Sequence, residues 1–119
     1  MDAENRRCDE EGWLMSDLIM LDEGNYDEVT GSGVVVVDFY ADWCMPCRMM
    51  APVFEEAKEA YAGRVVFAKL NTDENRGIAM NNRIMGIPTL IFFKDGQIAD
   101  RVSGVLDKAT LYGKIDALL

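Results

Sequence analysis

At 119 residues the chain is one domain, long enough to bury a core without help from disulfides or a metal. Half of it is apolar and 28% is charged, the make-up of a soluble globular protein. Its 12 basic and 21 acidic residues leave a net charge of −9, which repels phosphate backbones and anionic lipid and argues against nucleic acid and membrane as partners.

Residues 1–15 are polar and charged apart from Trp13 and Leu14 and read as a flexible extension; residues 16–119 form the domain. Nothing near the start resembles the apolar centre of a signal peptide, and no later run reaches the length of a membrane helix, so the expected location is the cytoplasm. "LIML" (18–21) suits a short strand, and Asp22 suits the cap of a brief helix that Gly31 and Gly33 end. "VVVVDFYADW" is a continuous apolar run, the mark of a strand buried on both faces. From Met49 the period changes: Met49, Met50, Val53, Phe54, Ala57, Ala60 and Tyr61 fall on one stripe of a helix running from Cys44 to near Gly63, with Pro52 inside it.

"RVVFAKLN" (64–71) is a second apolar strand, so strand, helix and strand make a βαβ unit with parallel strands. "TDENRGIAMNNR" suits a helix capped by Thr72 or Asp73 and weakened by Gly77. Pro88 opens an apolar strand, and "TLIFFKDGQIADRVSG" reads as a hairpin turning at Asp-Gly. Asp107 caps a last helix with Leu111, Tyr112, Ile115, Leu118 and Leu119 on its apolar stripe. The order β-α-β-α-β-α-β-β-α predicts an α/β fold, a mixed central sheet of five strands flanked by four helices on both faces.

The chemistry is concentrated in "ADWCMPCRMMAP" (41–52). Histidine is absent, so no Cys-His dyad or Ser-His triad can be built from this chain. A structural zinc site takes four Cys or His ligands, and only three cysteines exist, one of them Cys8 in the extension; neither metal nor cofactor is expected. An odd cysteine count also fits poorly with a disulfide-stapled scaffold. A Cys-x-x-Cys pair between a buried strand and a helix start has its own physics. Unpaired N–H groups and the positive end of the helix favour a thiolate there, lowering a cysteine pKa from about 8.5 to roughly 7. The i, i+3 spacing lets Cys44 and Cys47 close a small ring, and Pro46 loses nothing in a first helical turn. Cys44, at the exposed tip, is expected to attack a disulfide, and Cys47, one turn in and shielded, to resolve the mixed disulfide.

Asp38 interrupts the valine strand and is followed by Phe39 and Tyr40, so it is expected to be buried beneath the cysteines, where desolvation raises a carboxyl pKa. It suits a proton relay to Cys47, with Lys69 of the neighbouring strand as its charge partner; a purely structural Asp38–Lys69 pair is the alternative. Most of the eight methionines are expected to be inert, with Met49 and Met50 on the core stripe of the helix and filling core rather than holding a cofactor.

"VDFYADWCMPCRMMAP", "AKLNTDEN" and "GIPTL", at these separations, resemble the thioredoxin family from about Ser16 to Leu119. The resemblance implies the thioredoxin fold and reduction of protein disulfides through a reversible Cys44–Cys47 pair. It implies the attacking role for Cys44, the resolving role for Cys47, the buried acid at Asp38 and its lysine at Lys69. Pro88 matches the cis-proline loop facing the disulfide, where the Ile87 backbone pairs with substrate; Trp43, Ile87, Gly104 and Val105 match the apolar rim on which targets rest. The implied partners are disulfide-containing proteins and a thioredoxin reductase, linked to NADPH or to ferredoxin, and the expected state is a monomer. Most relatives carry Gly-Pro between the cysteines where this chain has Met-Pro, a pair that helps set redox poise. Met45 adds a flexible apolar group to the docking surface. Tyr40 stands where tryptophan is frequent, a change read as packing. A binding or scaffold subunit with the same fold, and a more oxidising oxidase or isomerase, are the competing readings.

Overall fold

The computed structural model describes residues 18–119; the expected extension, with Cys8 and Trp13, lies outside them. Five strands, β1 (Ile19–Met20), β2 (Val34–Tyr40), β3 (Val66–Asn71), β4 (Thr89–Lys94) and β5 (Gln97–Ser103), form one sheet in the order β1-β3-β2-β4-β5. β1 and β2 run parallel to β3, whereas β4 is antiparallel to β2 and β5 to β4. Four helices, α1 (Tyr26–Thr30), α2 (Met45–Ala60), α3 (Arg76–Asn81) and α4 (Lys108–Asp116), complete the expected architecture.

The valine run is apolar throughout because β2 is central and both of its faces are covered. Val36 faces one way with Phe67, Leu90 and Phe92, and packs with Met50, Phe54 and Ala57 of α2 and Leu111 and Ile115 of α4. Val35, Val37 and Phe39 face the other way with Ala68, Leu70, Ile91 and Phe93, against Tyr26 and Val29 of α1 and Ile78 of α3. Phe54 and Phe67 meet edge to face, their centroids 5.2 Å apart, and a buried side chain of that size contributes roughly 1.5–3 kcal/mol.

The stripe of α2 is narrower than the sequence suggests. Met50, Phe54, Ala57 and Tyr61 are buried, but Met49 and Ala60 are exposed, since each sits about 100° round the helix from a neighbour that points inward. Leu119 is likewise exposed, beyond the end of α4. The Asp107 side chain caps α4 as expected, accepting from the Thr110 N–H at 2.8 Å. Asp22 and Thr72 or Asp73 do not cap the short helices. Asn25 and Asn75 occupy those N-cap positions, while the Asp22 carboxylate accepts from Gly24 and Asn25 and the Asn71 side chain from Asp73 and Glu74. The expected Asp-Gly turn is present, with Asp95 at φ 51° and Gly96 at φ 85°.

Candidate redox-active site

β2 leads straight into the site. Its last residue is Tyr40; Ala41, Asp42 and Trp43 turn the chain, and Cys44 becomes the N-cap of α2, one residue before the first helical residue, Met45. Cys44 keeps an extended backbone (φ −85°, ψ 110°), and its Sγ accepts a hydrogen bond from the Cys47 N–H at 3.2 Å. The sulfur thus takes the place of the oxygen that a Ser or Asp cap presents to the same orphan donor. Pro46 lies in the first turn, where no N–H is needed. Cys44 and Cys47 form a disulfide, with their Cα atoms 5.2 Å apart.

The two cysteines do not differ in exposure as the sequence suggests. Cys44 is 3% exposed and Cys47 5%. Ala41 packs beside both, with Tyr40 and Ile87 against the cluster, and the Ile87 carbonyl oxygen lies 3.7 Å from the Cys44 sulfur. Closing the disulfide leaves both residues covered, so their difference lies in position along the helix and not in contact with water.

The Ile87–Pro88 peptide bond is cis, as the resemblance implies and the residues alone do not indicate. The Pro88 carbonyl accepts from the Gly104 N–H at 2.8 Å, which holds Gly104 and Val105 beside the proline loop. Trp43, Met45 and Val105 are exposed apolar groups, Ile87 and Gly104 are half-buried, and Pro88 is buried. The Trp43 indole N–H donates to the Asp73 carboxylate at 2.8 Å, which fixes its ring across the loop that follows β3. That use of Asp73, and the almost fully exposed Met85 lining a shallow depression with Trp43 and Ile87, have no short-range sequence signal.

Asp38 is wholly buried, on the sheet face covered by α2, and neither carboxylate oxygen has a hydrogen-bond partner. Loss of hydration pushes its pKa up from 3.8 to about 6, against the smaller opposing pull of the Lys69 charge. Lys69 is its register neighbour on β3, yet the expected pair makes no hydrogen bond. The ammonium instead lies over the Tyr40 ring, 4.5 Å from the centroid. Lys69, Tyr40 and Cys47 line one open cavity of about 400 Å³ together with Ala41, Asp42, Arg48 and Ala51, which links the lysine to the second sulfur. Among the described residues, no three Cys, Asp or Glu side chains converge as a metal site.

Comparison with known proteins shows the family and the fold. The family model described as Thioredoxin matches residues 17–117. A thioredoxin of Staphylococcus haemolyticus is 44% identical over 99 residues, covering 83% of this chain and 95% of that one. The chloroplastic M-type thioredoxin of Pisum sativum is 43% identical over 104 residues, 86% of this chain and 60% of its own length. Among solved structures, a mutant thioredoxin from Halobacterium salinarum superposes with a TM-score of 0.82 at 34% identity, covering 90% of this chain and 95% of that one.

Proposed function

The chain belongs to the thioredoxin family, and on that premise we propose that Cys44 attacks target disulfides, Cys47 resolves the product and Asp38 carries the proton between turnovers. The protein is a thiol–disulfide oxidoreductase that reduces protein disulfides. Its partners are disulfide-containing proteins and a reductase that restores the dithiol.

The observation that carries the assignment is the hydrogen bond from the Cys47 N–H to the Cys44 sulfur at the helix N-cap. In the reduced protein the same donor, with the positive end of α2 behind it, favours a thiolate at position 44. That thiolate attacks one sulfur of a target disulfide; the new Cys44–target bond forms as the target's S–S bond breaks and the other target sulfur leaves as a thiolate. Cys47 then loses its proton and attacks the Cys44 sulfur, which forms the Cys44–Cys47 disulfide and releases the second target sulfur. Two electrons pass to the target and its two thiolates take up protons. Asp38, with a pKa near neutrality and on the sheet face beneath α2, suits the acceptance of the Cys47 proton, and Lys69 tunes it.

Trp43, Met45, Ile87, Pro88, Gly104 and Val105 form the target-docking rim in this reading: apolar groups stand exposed around the disulfide, with backbone of the cis-proline loop beside it. Residues 16–119 are the catalytic domain, acting as a cytoplasmic monomer recharged by a thioredoxin reductase linked to NADPH or to ferredoxin. Among the described residues, no helix is long and apolar enough to cross a membrane.

Reduction of a protein disulfide by a small dithiol tests the roles. Wild type accelerates it, Cys44→Ser abolishes the acceleration, and Cys47→Ser accumulates a covalent complex with the target. Full activity in Cys44→Ser refutes the assignment. Supplying each reductase in turn identifies the electron donor.

A further inference from the structure

Asp38 and Tyr40 stand two residues apart on β2 and so share a face of the sheet. Lys69 is beside Asp38 in register on β3. Its four-carbon stem allows the ammonium two destinations, the carboxylate of Asp38 or the ring of Tyr40. The structure takes the second: the nitrogen lies 4.5 Å from the ring centroid, while both carboxylate oxygens remain without a hydrogen bond. An aromatic face attracts a cation through its quadrupole and still leaves the ammonium open to water along the cavity wall. Pairing with a fully buried carboxylate would strip that water away.

We propose that Tyr40 is a positioning residue, whose ring holds the Lys69 ammonium in the cavity wall beside Cys47 and thereby leaves the Asp38 carboxyl without a counter-ion in contact. The other charged groups around this corner do not replace the lysine. Asp42 and Glu74 are acidic; burial first, and then the charges of Asp42, Glu74 and Asp38, push the Tyr40 phenol pKa up, so the ring stays neutral. Arg48, on the first turn of α2, also lines the cavity, but its guanidinium is engaged elsewhere, donating to the Asp42 carbonyl oxygen at 2.9 Å. Among the described residues, Lys69 is therefore the cation whose placement decides how strongly the carboxyl at position 38 holds its proton. The role of this proton in turnover rests on the functional reading above; the positioning itself does not.

The test follows the Asp38 carboxyl carbon by NMR through a pH titration of the oxidised protein, in which no cysteine titrates at the site. Tyr40→Phe keeps a ring and leaves the Asp38 midpoint in place. Tyr40→Leu frees the ammonium to approach the carboxylate, and the midpoint falls by about one pH unit, a tenfold change in acid dissociation. Lys69→Met raises the midpoint and makes it indifferent to Tyr40→Leu. An unmoved midpoint in Tyr40→Leu overturns the proposal. So does an equal fall in the Lys69→Met background, since water entering beside a smaller side chain then accounts for it. If Tyr40→Leu does not fold, Tyr40→Met makes the same comparison. The pH profile of kcat/KM separates the two readings: its acidic limb moves with the carboxyl in Tyr40→Leu if Asp38 carries the proton. A stationary limb beside a shifted midpoint removes the carrier role and leaves the positioning intact.

Discussion

Replacing Asp38 by Asn in the oxidised protein removes a group that makes the fold less stable as pH rises. In the folded chain its pKa is about 6, against an ordinary 3.8, because burial disfavours the charged form more than the Lys69 charge favours it. Below about pH 4 the carboxyl is protonated in both folded and unfolded chains and carries no charge penalty. Between about pH 4 and 6 the unfolded chain releases the proton first, so stability declines through that window and levels off above it. Each pH unit of difference is worth about 1.4 kcal/mol, so the roughly two separating the folded and unfolded values amount to about 3 kcal/mol. Urea denaturation of both proteins, disulfide intact, at about pH 3 and about pH 8 measures this directly. The expected result is a gain of about 3 kcal/mol for Asp38→Asn relative to wild type on going from the lower to the higher pH, with equal m-values. Any fixed cost of burying an unpartnered amide shifts both ends alike and drops out. Parallel stabilities across the range, or a gain toward acid, would refute a buried carboxyl that ionises reluctantly.

Phe54 fills the interface of α2 with the sheet against Phe67, so Phe54→Ala is expected to cost about 3–5 kcal/mol in the same denaturation assay. Gly96 holds φ 85° in the hairpin turn, and an added methyl group would meet the Gly31 carbonyl oxygen at 3.1 Å; Gly96→Ala is expected to lower stability by about 1–2 kcal/mol or more. The Tyr61 hydroxyl donates to Asp116 at 2.6 Å, and burial, with that bond second, pushes its pKa up to about 12. Tyr61→Phe should cost about 1–3 kcal/mol at neutral pH. That difference disappears as pH rises from about 10 through 12, since only the protonated phenol donates, and ultraviolet absorbance should show one tyrosine ionising late.

What is legible in the sequence is what short-range periodicity controls. A run of valines wanted by two covered faces, a helix opening at a cysteine and a turn written as Asp-Gly all appear where the pattern places them. The caps of the short helices do not follow, because several polar side chains near each start compete for the same N–H groups and sequence does not say which reaches them: Asn71 and Asp22 satisfy the turns ahead of those helices. Met49 falls outside the buried stripe because an α-helical stripe two residues wide tolerates either neighbour until the partner surface is known. Asp73 reads as a local cap and serves as the partner of an indole 30 positions away. The Asp38–Lys69 adjacency is readable from two neighbouring strands, but the third group that draws the lysine off, Tyr40, emerges only when the side chains compete in space.

The assembly of the site follows from strand direction more than from any motif. β2 ends at Tyr40 just before the cysteines, and because β4 is antiparallel to it, Phe39 pairs with Thr89, so the start of β4 and Pro88 arrive at the same end of the sheet. β5 is antiparallel to β4 in turn, and Thr89 pairs with Ser103, so Gly104 leaves the sheet there too. One end therefore gathers three segments that lie far apart along the chain: Cys44 at its helix cap, Ile87 with its carbonyl 3.7 Å from the sulfur, and Gly104 bonded to the Pro88 carbonyl. A strand inserted or reversed between β2 and β4 would leave every cysteine-proximal residue in the chain and still separate the disulfide from the backbone beside it. The short motifs mark the ends of these strands; the sheet's pairing order is what makes them neighbours.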